Sequence, residues 1–535
     1  MLPRIRCRIL SCLVVLTAVS GSVTEVARVG AEEKPAAPTV PPPVRIKVSP
    51  QTTFFTEPLL EDGRVDLVAA LNRRAGQGVT ASSNAAVVLY EVYGPEPDGT
   101  RLSDEFYTLL GIPRPAANGD YFMSYGRWLQ AQVASESIAD ELDSFSETYS
   151  TPWTAEDRPQ LHSWIQAMAG PLGRLQTGLQ RPDYFLPMVP PRNEDGTRGG
   201  LVATLLPGVQ ISREVGRALV SRAMLHLGEG RHNDAWQDLL TVHRLGRHIG
   251  RGQCLIERLV GIALESIAIE ADLTWLAVVQ PNTRRIARIR RQLAGLPEAG
   301  TMADAIDTCE RTMFVDSVIL MTRNQLDLGL LGGNEEAIPK LFRMAAVSAV
   351  DWNAVLQDGN EMYDRIAAAM RLPGRRERQI ALQAIDDEMK ALRGKTTPGK
   401  LALSLIPGLT SAVLTDSMSA ALISLLMPAA KAARHAQDRE EQKFASLLTT
   451  LTLLEARNTT GDFPETLDDL VPKYVDSAPI DLFSGRPLKY RRTENGFEFY
   501  SVGRNETDDG GRSFGDDPSG DDLVVRLTLP ETGDN

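Results

Sequence analysis

The densest group of oxygen ligands in this sequence lies near the C-terminus, between residues 503 and 522. The segment contains two arginines, five glycines and seven carboxylates, namely Glu506, Asp508, Asp509, Asp516, Asp517, Asp521 and Asp522. So many like charges in one loop repel one another. A hard cation with about six to eight oxygen ligands would offset that repulsion, and calcium tolerates an irregular loop better than magnesium does. The segment therefore predicts a calcium site, with a solvated loop that binds no ion as the alternative.

Two other patterns resemble catalytic or metal-binding motifs but lack the context that their chemistry needs. Residues 511–515, Gly-Arg-Ser-Phe-Gly, have the spacing of a nucleophile elbow, which requires a strand before it, a helix after it and a later histidine. Acidic residues flank this motif, and the last histidine is His435. His243 and His248 are five residues apart, so one face of a helix cannot present both to a metal. We expect these two to be surface or helix-packing residues.

The composition is that of a folded, acidic protein. Of its 535 residues, 43% are hydrophobic and 24% are charged, which is enough for at least two ordinary cores. The formal net charge of −12 gives no support for nucleic-acid binding, which usually uses a clustered basic face. We expect two or three domains and no nucleic-acid partner.

The first 31 residues are typical of a secretory signal peptide. Arg4, Arg6 and Arg8 precede the apolar stretch 9–19, and small residues suitable for cleavage follow it. Residues 32–50 are proline-rich and predict an extended linker. The sequence therefore predicts export to the periplasm or cell envelope. The alternative is an uncleaved segment that anchors the chain in the membrane.

Cys254 and Cys309 are the two cysteines that follow this segment. An oxidising compartment would permit a disulfide between them. Both lie in helical, partly apolar contexts, which favour two buried free thiols.

Two helical regions are predicted ahead of residue 430. Residues 51–200 contain short apolar-periodic segments, such as 65–71, 85–93 and 103–110, separated by glycine and proline. Residues 201–429 predict a longer helical body that is broken near Gly230, Pro281, Pro297, Gly332, Pro373 and Pro398. We expect an irregular helical bundle.

Two segments of the helical body bear on its architecture. Residues 223–236 resemble the helix–turn–helix joint of a tetratricopeptide repeat, with the small residues Gly228 and Ala235 at the helix contact. The apolar stretch 401–430 is interrupted by Pro407 and Asp416, whereas a membrane span needs about 20 apolar residues. It therefore predicts a buried helix.

Residues 430–535 predict a small α+β module with a three-stranded antiparallel sheet. A helix is indicated by one apolar stripe, formed by Phe444, Leu447, Leu448, Leu451 and Leu454. Residues 487–492 and 497–502 flank Asn495-Gly496, a strong signal for a hairpin turn. Residues 523–529 are apolar and β-branched and predict the third strand.

Residues 425–511 are similar to the soluble part of type II secretion major pseudopilins. The resemblance rests on Gly461-Asp462-Phe463-Pro464, on the spacing of residues 479–490 and on Tyr500-Ser501-Val502-Gly503. It implies a calcium site whose ligands include the Val502 carbonyl, Asn505, Asp521 and Asp522; Asp508 and Asp509 complete the candidate set. Asn505 stands where the family usually has Asp, and Glu506 replaces the usual Gly. The filament-forming helix of that family has no counterpart in the expected place, so we do not expect filament assembly.

A second resemblance concerns the start of the folded region. Residues 53–72 and 78–95 resemble the beginning of a family of uncharacterised exported bacterial proteins, which implies no activity.

These patterns predict a non-catalytic exported envelope protein with a protein-interaction or structural role and a calcium-stabilised C-terminal module. The helical body would bind a protein partner. The alternative is an envelope hydrolase with its site in the helical body, where packing would have to unite His226, His232, Asp234 and His243. A deep polar cleft with perturbed carboxylates or histidines within residues 205–400 would favour that alternative.

Overall fold

The computed structural model describes residues 44–132, 138–193, 196–204, 206, 208–323, 325, 350–395, 411–427 and 429–529. Within these ranges the chain is mainly helical and carries a small three-stranded antiparallel sheet near its C-terminus, as the sequence predicts. The predicted signal peptide and residues 32–43 of the linker lie outside the described residues, as do the breaks near Gly332 and Pro398.

The N-terminal helical region consists of short helices. They are α1 (Leu67–Ala75), α2 (Ala85–Tyr93), α3 (Asp104–Leu110), α4 (Tyr125–Gln132), α5 (Ile138–Glu147), α6 (Pro159–Ala167) and α7 (Ala169–Gly178). The polar residues that precede the first three helices start them, because their side chains accept a backbone N–H of the first turn. Asp66 accepts from Ala69 and Ser103 accepts from Phe106 in this way. The helices predicted at 65–71, 85–93 and 103–110 are therefore confirmed to within a few residues.

Longer helices form the body. They are α8 (Val209–Gly228), α9 (His232–Ile249), α10 (Leu255–Val279), α11 (Thr283–Ala294), α12 (Met302–Ala305), α13 (Arg311–Thr322), α14 (Trp352–Met370), α15 (Arg375–Lys395), α16 (Ser411–Leu426) and α17 (Ala430–Thr460). A π-helical turn, Ile306–Glu310, joins α12 to α13. The predicted breaks near Gly230, Pro281, Pro297 and Pro373 all fall between helices. Proline and glycine punctuation therefore predicted these helix ends correctly.

Close helix packing in the body depends on small residues. A Cβ on Gly261 of α10 would lie 2.6 Å from the carbonyl oxygen of Gly246 in α9, so both helices approach to backbone contact there. At the predicted helix–turn–helix joint, α8 and α9 form a helical hairpin in which Ala235 is fully buried. A Cβ on Gly228 would lie 2.2 Å from the carbonyl oxygen of Trp153. The absence of a side chain at Gly228 therefore lets the loop before α6 pack closely against α8.

Two hydrophobic clusters make up the core. The first runs through α2 to α11 and continues into α17 and the sheet, and includes Leu264, Leu451 and Phe499. The second is formed mainly by α1 and α12 to α16 and includes Phe314, Trp352 and Leu422. The first cluster therefore crosses residue 430, where the sequence places a domain boundary; that boundary stays a prediction.

The helix α16 buries only one face. Met418, Leu422 and Ile423 are buried, whereas Val413 and Leu425 are 42% and 38% exposed. By length and composition the stretch 411–460 is apolar enough to cross a membrane, a test that core helices of soluble proteins also pass. The buried helix predicted over 401–430 is matched on one face of α16, and residues 401–410 lie outside the described residues.

The sheet has the order β1 (Lys489–Thr493), β2 (Gly496–Ser501) and β3 (Leu523–Thr528), and both pairs of neighbours are antiparallel. The hairpin is present, but its turn is one residue earlier than predicted, because Thr493 pairs with Gly496 and the turn residues are Glu494 and Asn495. Gly496 belongs to β2. A Cβ on Gly496 would lie 1.9 Å from the carbonyl oxygen of Leu527, so the glycine serves the approach of β3 and not the turn.

The helix α17 packs its apolar stripe as predicted, with Leu447, Leu451 and Leu454 almost fully buried. Its first turns carry charged residues, of which Asp438 and Glu440 are only 6% and 3% exposed. These carboxylates face arginines of the helical body and join α17 to it.

Candidate functional site

The acidic segment 503–522 connects β2 to β3, and its two ends touch each other. Gly503 has a φ of +66°, and a Cβ there would lie 2.0 Å from the carbonyl oxygen of Asp521. Only glycine combines this left-handed backbone with so close an approach. The loop is therefore closed at its base next to the predicted acidic pair.

Three of the predicted ligands are linked directly by hydrogen bonds. Asp521 accepts the backbone N–H of Asn505 through Oδ2 at 2.8 Å. Asp509 accepts the backbone N–H of Asp521 at 2.8 Å and the side-chain amide of Asn505 at 3.2 Å, both through Oδ2. The structure thus brings Asn505, Asp509 and Asp521 to one side of the loop.

Asp522 is the buried member of the set, with 2% of its surface exposed. Its Oδ2 accepts the N–H of Gly511 at 2.8 Å, and its Oδ1 lies 3.4 Å from the N–H of Asp509. Burial, and then the charges of Asp509 and Asp508, raise the pKa of Asp522. A cation beside this carboxyl would favour its ionised form.

Asp508 points away from this group, and Val502 is held through its N–H. Asp508 accepts the hydroxyl of Tyr500 at 3.0 Å and lies 3.3 Å from the Lys489 ammonium, so it faces the first two strands. Val502 donates its N–H to Asp481 at 3.3 Å. Asp481 is 2% exposed and also accepts from the Ser501 hydroxyl at 2.6 Å, so it is the residue that orders the start of the loop. Asp481 belongs to the 479–490 segment that resembles the pseudopilins.

The donor chemistry of the loop fits calcium. Asn505, Asp509, Asp521 and Asp522 offer hard oxygen atoms, the ligand type that calcium prefers. Across the described ranges, no three His, Cys, Asp or Glu side chains converge into a group that could hold a metal as they stand. The acceptors instead hold backbone and amide N–H groups, so the oxygens are gathered in one loop without meeting at one point.

Glu506 attaches this loop to the helical body. Its φ of 57° is left-handed, which explains why glycine would suit the position. Its Oε1 accepts from Arg375 at 2.6 Å, and the same Arg375 Nη1 donates to the carbonyl of Phe483 at 2.6 Å. The guanidinium also lies 4.6 Å from the centre of the Phe483 ring. No sequence pattern predicts this contact, because Arg375 lies 131 residues away along the chain.

The nucleophile-elbow spacing at 511–515 has no catalytic geometry. Ser513 lies in the same loop, and both its hydroxyl and its N–H donate to Asp516, at 2.8 and 2.7 Å. Asp516 also lies 3.2 Å from Arg526. These contacts organise the loop and agree with the sequence-based rejection of a serine hydrolase motif.

Three histidines of the helical body have different polar partners, which are Asp238 for His226, Asp272 for His243 and the Leu179 carbonyl for His248. His243 and His248 are fully buried. They are therefore helix-packing residues and not surface residues, the two possibilities that the sequence left open. His226 lies 3.5 Å from Asp238, which is itself paired with Arg222, and is not joined to His243. His226 and His243 therefore contact different carboxylates, those of Asp238 and Asp272, and the hydrolase alternative stays a prediction.

His243 lies instead in a buried polar network between α9 and α10. Its Nε2 is 2.8 Å from Asp272, and its Nδ1 is 3.4 Å from Glu265, which also pairs with Arg247 at 3.1 Å. Burial lowers the pKa of His243, but the carboxylates of Asp272 and Glu265 outweigh it and raise the pKa to about 10. The two carboxylates therefore favour the protonated form of His243, between α9 and α10.

A cleft with a volume of about 1000 Å³ lies in the N-terminal region. Its lining includes Phe54, Phe55 and Phe185 together with Arg73 and Arg74. The buried acids and histidines of residues 205–400 do not line it. This cleft and those buried groups therefore lie apart, and the hydrolase alternative stays a prediction.

Comparisons with protein-family models, with curated proteins and with solved structures found no match for this chain.

Proposed function

We propose that this chain is an exported, non-catalytic protein of the cell envelope, whose C-terminal loop binds calcium and stabilises the sheet against the helical body. The observation that carries the proposal is the closed loop in which Asn505, Asp509, Asp521 and Asp522 lie next to one another. Their oxygens would hold the ion, and the positive charge of the ion would offset the repulsion between the crowded carboxylates.

The contact between Glu506 and Arg375 gives calcium binding a structural consequence. Since Arg375 belongs to α15 and Glu506 to the loop, an ordered loop is also attached to the body. An ion that binds only the folded loop would therefore stabilise both the sheet and its attachment to the helices. This suits a scaffold that presents its helical surface to a protein partner in the envelope.

Calcium titration of the full chain tests the metal assignment. An ion present at a hundredfold excess over its Kd stabilises the folded state by about 2.7 kcal/mol, so the Tm should rise with calcium and fall on chelation. Asp509→Asn and Asp521→Asn should weaken this response. Asp517→Asn is the matched control, because it removes the same charge from an exposed residue of the same loop outside the candidate set.

The assignment fails if calorimetry detects no heat of calcium binding in a folded sample. It also fails if Asp517→Asn reduces the Tm response as much as Asp521→Asn does, since the effect would then reflect loop charge in general.

Export is tested separately with a fusion of residues 1–35 to a reporter that is active only outside the cytoplasm. We expect activity because the segment has the basic and apolar parts of a signal peptide. A cytoplasmic, inactive fusion would contradict the location without touching the calcium proposal.

A further inference from the structure

We propose that Cys254 and Cys309 form a structural disulfide that ties the start of α10 to the helix formed by residues 302–322. The two sulfur atoms lie 2.6 Å apart, and both are free thiols in this structure. Non-bonded heavy atoms prefer separations of about 3.5–4.0 Å. The juxtaposition therefore fits a pair that is covalently joined better than two independent thiols.

The local backbone positions each sulfur firmly. Cys254 is the residue that caps α10, and the Glu257 carboxylate accepts its N–H at 3.0 Å. Cys309 lies in the π-helical turn Ile306–Glu310, an irregular turn of the kind often found at functional positions. Glu310, in the same turn, accepts the N–H of Leu255 at 3.1 Å, so the two segments are held together beside the sulfurs.

The surroundings indicate a structural bond and not an exchanging one. Cys254 and Cys309 are 1% and 0% exposed, and the sulfur of Met188 lies 3.8 Å from that of Cys254. The neighbouring Cys309 sulfur, burial and the carboxylates of Glu257 and Glu310 raise the pKa of the Cys254 thiol. Thiol–disulfide exchange needs a thiolate and access, both of which this site withholds. The bond would form before the core closes and would then resist reduction.

The bond would close a long loop across the body. The cysteines are 55 residues apart, and the loop contains all of α10 and α11. Both cysteines lie in the second hydrophobic cluster, whereas most of α10 packs in the first. A disulfide here would therefore tie the start of α10 to the helix of Cys309 within the second cluster and would remove conformational freedom from the unfolded chain.

The chemistry requires an oxidant. Two S–H bonds break and one S–S bond forms in the protein, while the S–S bond of a disulfide donor breaks and takes up the two electrons and two protons to give two thiols. Such donors are found in oxidising compartments, so formation in the cell rests on the proposed export. Formation in a refolding buffer does not, because oxidised glutathione can act as the donor.

The test uses the full chain with Cys7→Ser and Cys12→Ser, so that only the proposed pair remains. The reduced, unfolded chain is refolded with oxidised and reduced glutathione, then denatured and treated with an alkylating reagent. We expect no alkylation before reduction, two alkylated thiols after it, and a cross-linked peptide that contains both cysteines. The intact mass should be lower than that of the reduced chain by two hydrogen atoms.

Stability separates a bond from two buried thiols that merely touch. If the bond exists, the Tm should fall by the same amount in Cys254→Ser, Cys309→Ser and the double variant. A reductant should not lower the Tm of these variants further. In the parent, a reductant should reach the buried bond only when the chain unfolds transiently. Once the bond is reduced, the Tm should be lower by several degrees.

Two alkylated thiols in a refolded sample of native helix content overturn the proposal. Pairing in the refolded sample with reduced cysteines in acid-quenched cells supports the pairing and contradicts export.

Discussion

Arg258 and Glu440 form an ion pair in the interior of the protein, with Nη2 of the arginine 2.6 Å from Oε2 of the glutamate and only 1% and 4% of the side chains exposed. The pair joins α10 to α17 across 182 residues of sequence. It connects the helical body with the helix that carries the sheet. Burial raises the pKa of Glu440, and the arginine acts in the opposite direction.

Breaking this pair should destabilise the protein strongly. Glu440→Ala leaves the Arg258 guanidinium buried without its partner, which typically costs about 3–5 kcal/mol. Replacing both residues by apolar ones, as in Arg258→Met with Glu440→Leu, should recover most of the loss. Urea unfolding measures both. Glu388→Ala is the control, because its pair with Arg365 is more than 40% exposed on both sides and should contribute less than about 1 kcal/mol. Equal losses for the two alanine variants would contradict the prediction.

Glu257 should make the protein less stable as the pH rises toward neutrality. Burial raises the pKa of Glu257 from its ordinary value to about 7, so folding takes up a proton between about pH 4.5 and 7. Stability contributed by the protonated carboxyl is therefore present below about pH 4.5 and is lost as the pH rises to 7, by up to about 3 kcal/mol. Glu257→Gln keeps an acceptor for the Cys254 N–H and should flatten the stability curve in this window. Denaturant unfolding at several pH values measures the slope, and an unchanged slope would refute the assignment to Glu257.

Gly496→Ala should disrupt the pairing of β2 with β3. The added methyl group would lie 1.9 Å from the carbonyl oxygen of Leu527, so one strand must shift. We expect a loss of at least about 1–3 kcal/mol, as for other overpacked sites. Gly173→Ala in α7 is the control, because nothing lies within 4 Å of its added Cβ and alanine favours a helix. Thermal unfolding should show a lower Tm for the first variant and an unchanged or higher Tm for the second.

Position 506 separates backbone strain from the contact with Arg375. Glu506→Ala loses the ion pair and keeps a side chain at a φ of 57°, whereas Glu506→Gly loses the pair and relieves the strain. The alanine variant should therefore be less stable than the glycine variant, by about 1 kcal/mol. Chemical unfolding of the two variants side by side checks this order. The opposite order would show that the left-handed backbone carries no strain.

Local signals in the sequence predicted much of the fold. Helix ends near Gly230 and Pro281 follow from the conformations that glycine and proline permit, and the hairpin follows from alternation on both sides of Asn495. The exact turn was missed because Gly496 is needed for close packing against Leu527, on a strand that lies much later in the chain. Turn chemistry and close strand packing favour the same residue type, so the sequence could not separate them.

Only the part of the candidate site that depends on local sequence was predicted. Asn505, Asp509, Asp521 and Asp522 are close in sequence or lie at the two ends of one loop, so their proximity follows from the hairpin topology. The roles of Asp481 and Arg375 depend on tertiary contacts that leave no periodic pattern. Buried charges such as Glu440 are missed because a carboxylate in a helix is predicted to be solvated. Its burial becomes predictable only when the arginine that pairs with it is known.

Two asparagines of the N-terminal region act as substitutes for a β-strand. The Asn72 carboxamide both donates to and accepts from the backbone of Met188 at 2.8 Å, and Asn84 does the same with Phe185 at 2.9 Å. The extended segment between these contacts thus has backbone partners of the kind that a sheet provides. A carboxamide cannot extend into a row of further N–H and C=O groups, so it offers no template to another extended chain. This segment therefore obtains sheet-like hydrogen bonding without an edge at which aggregation could begin.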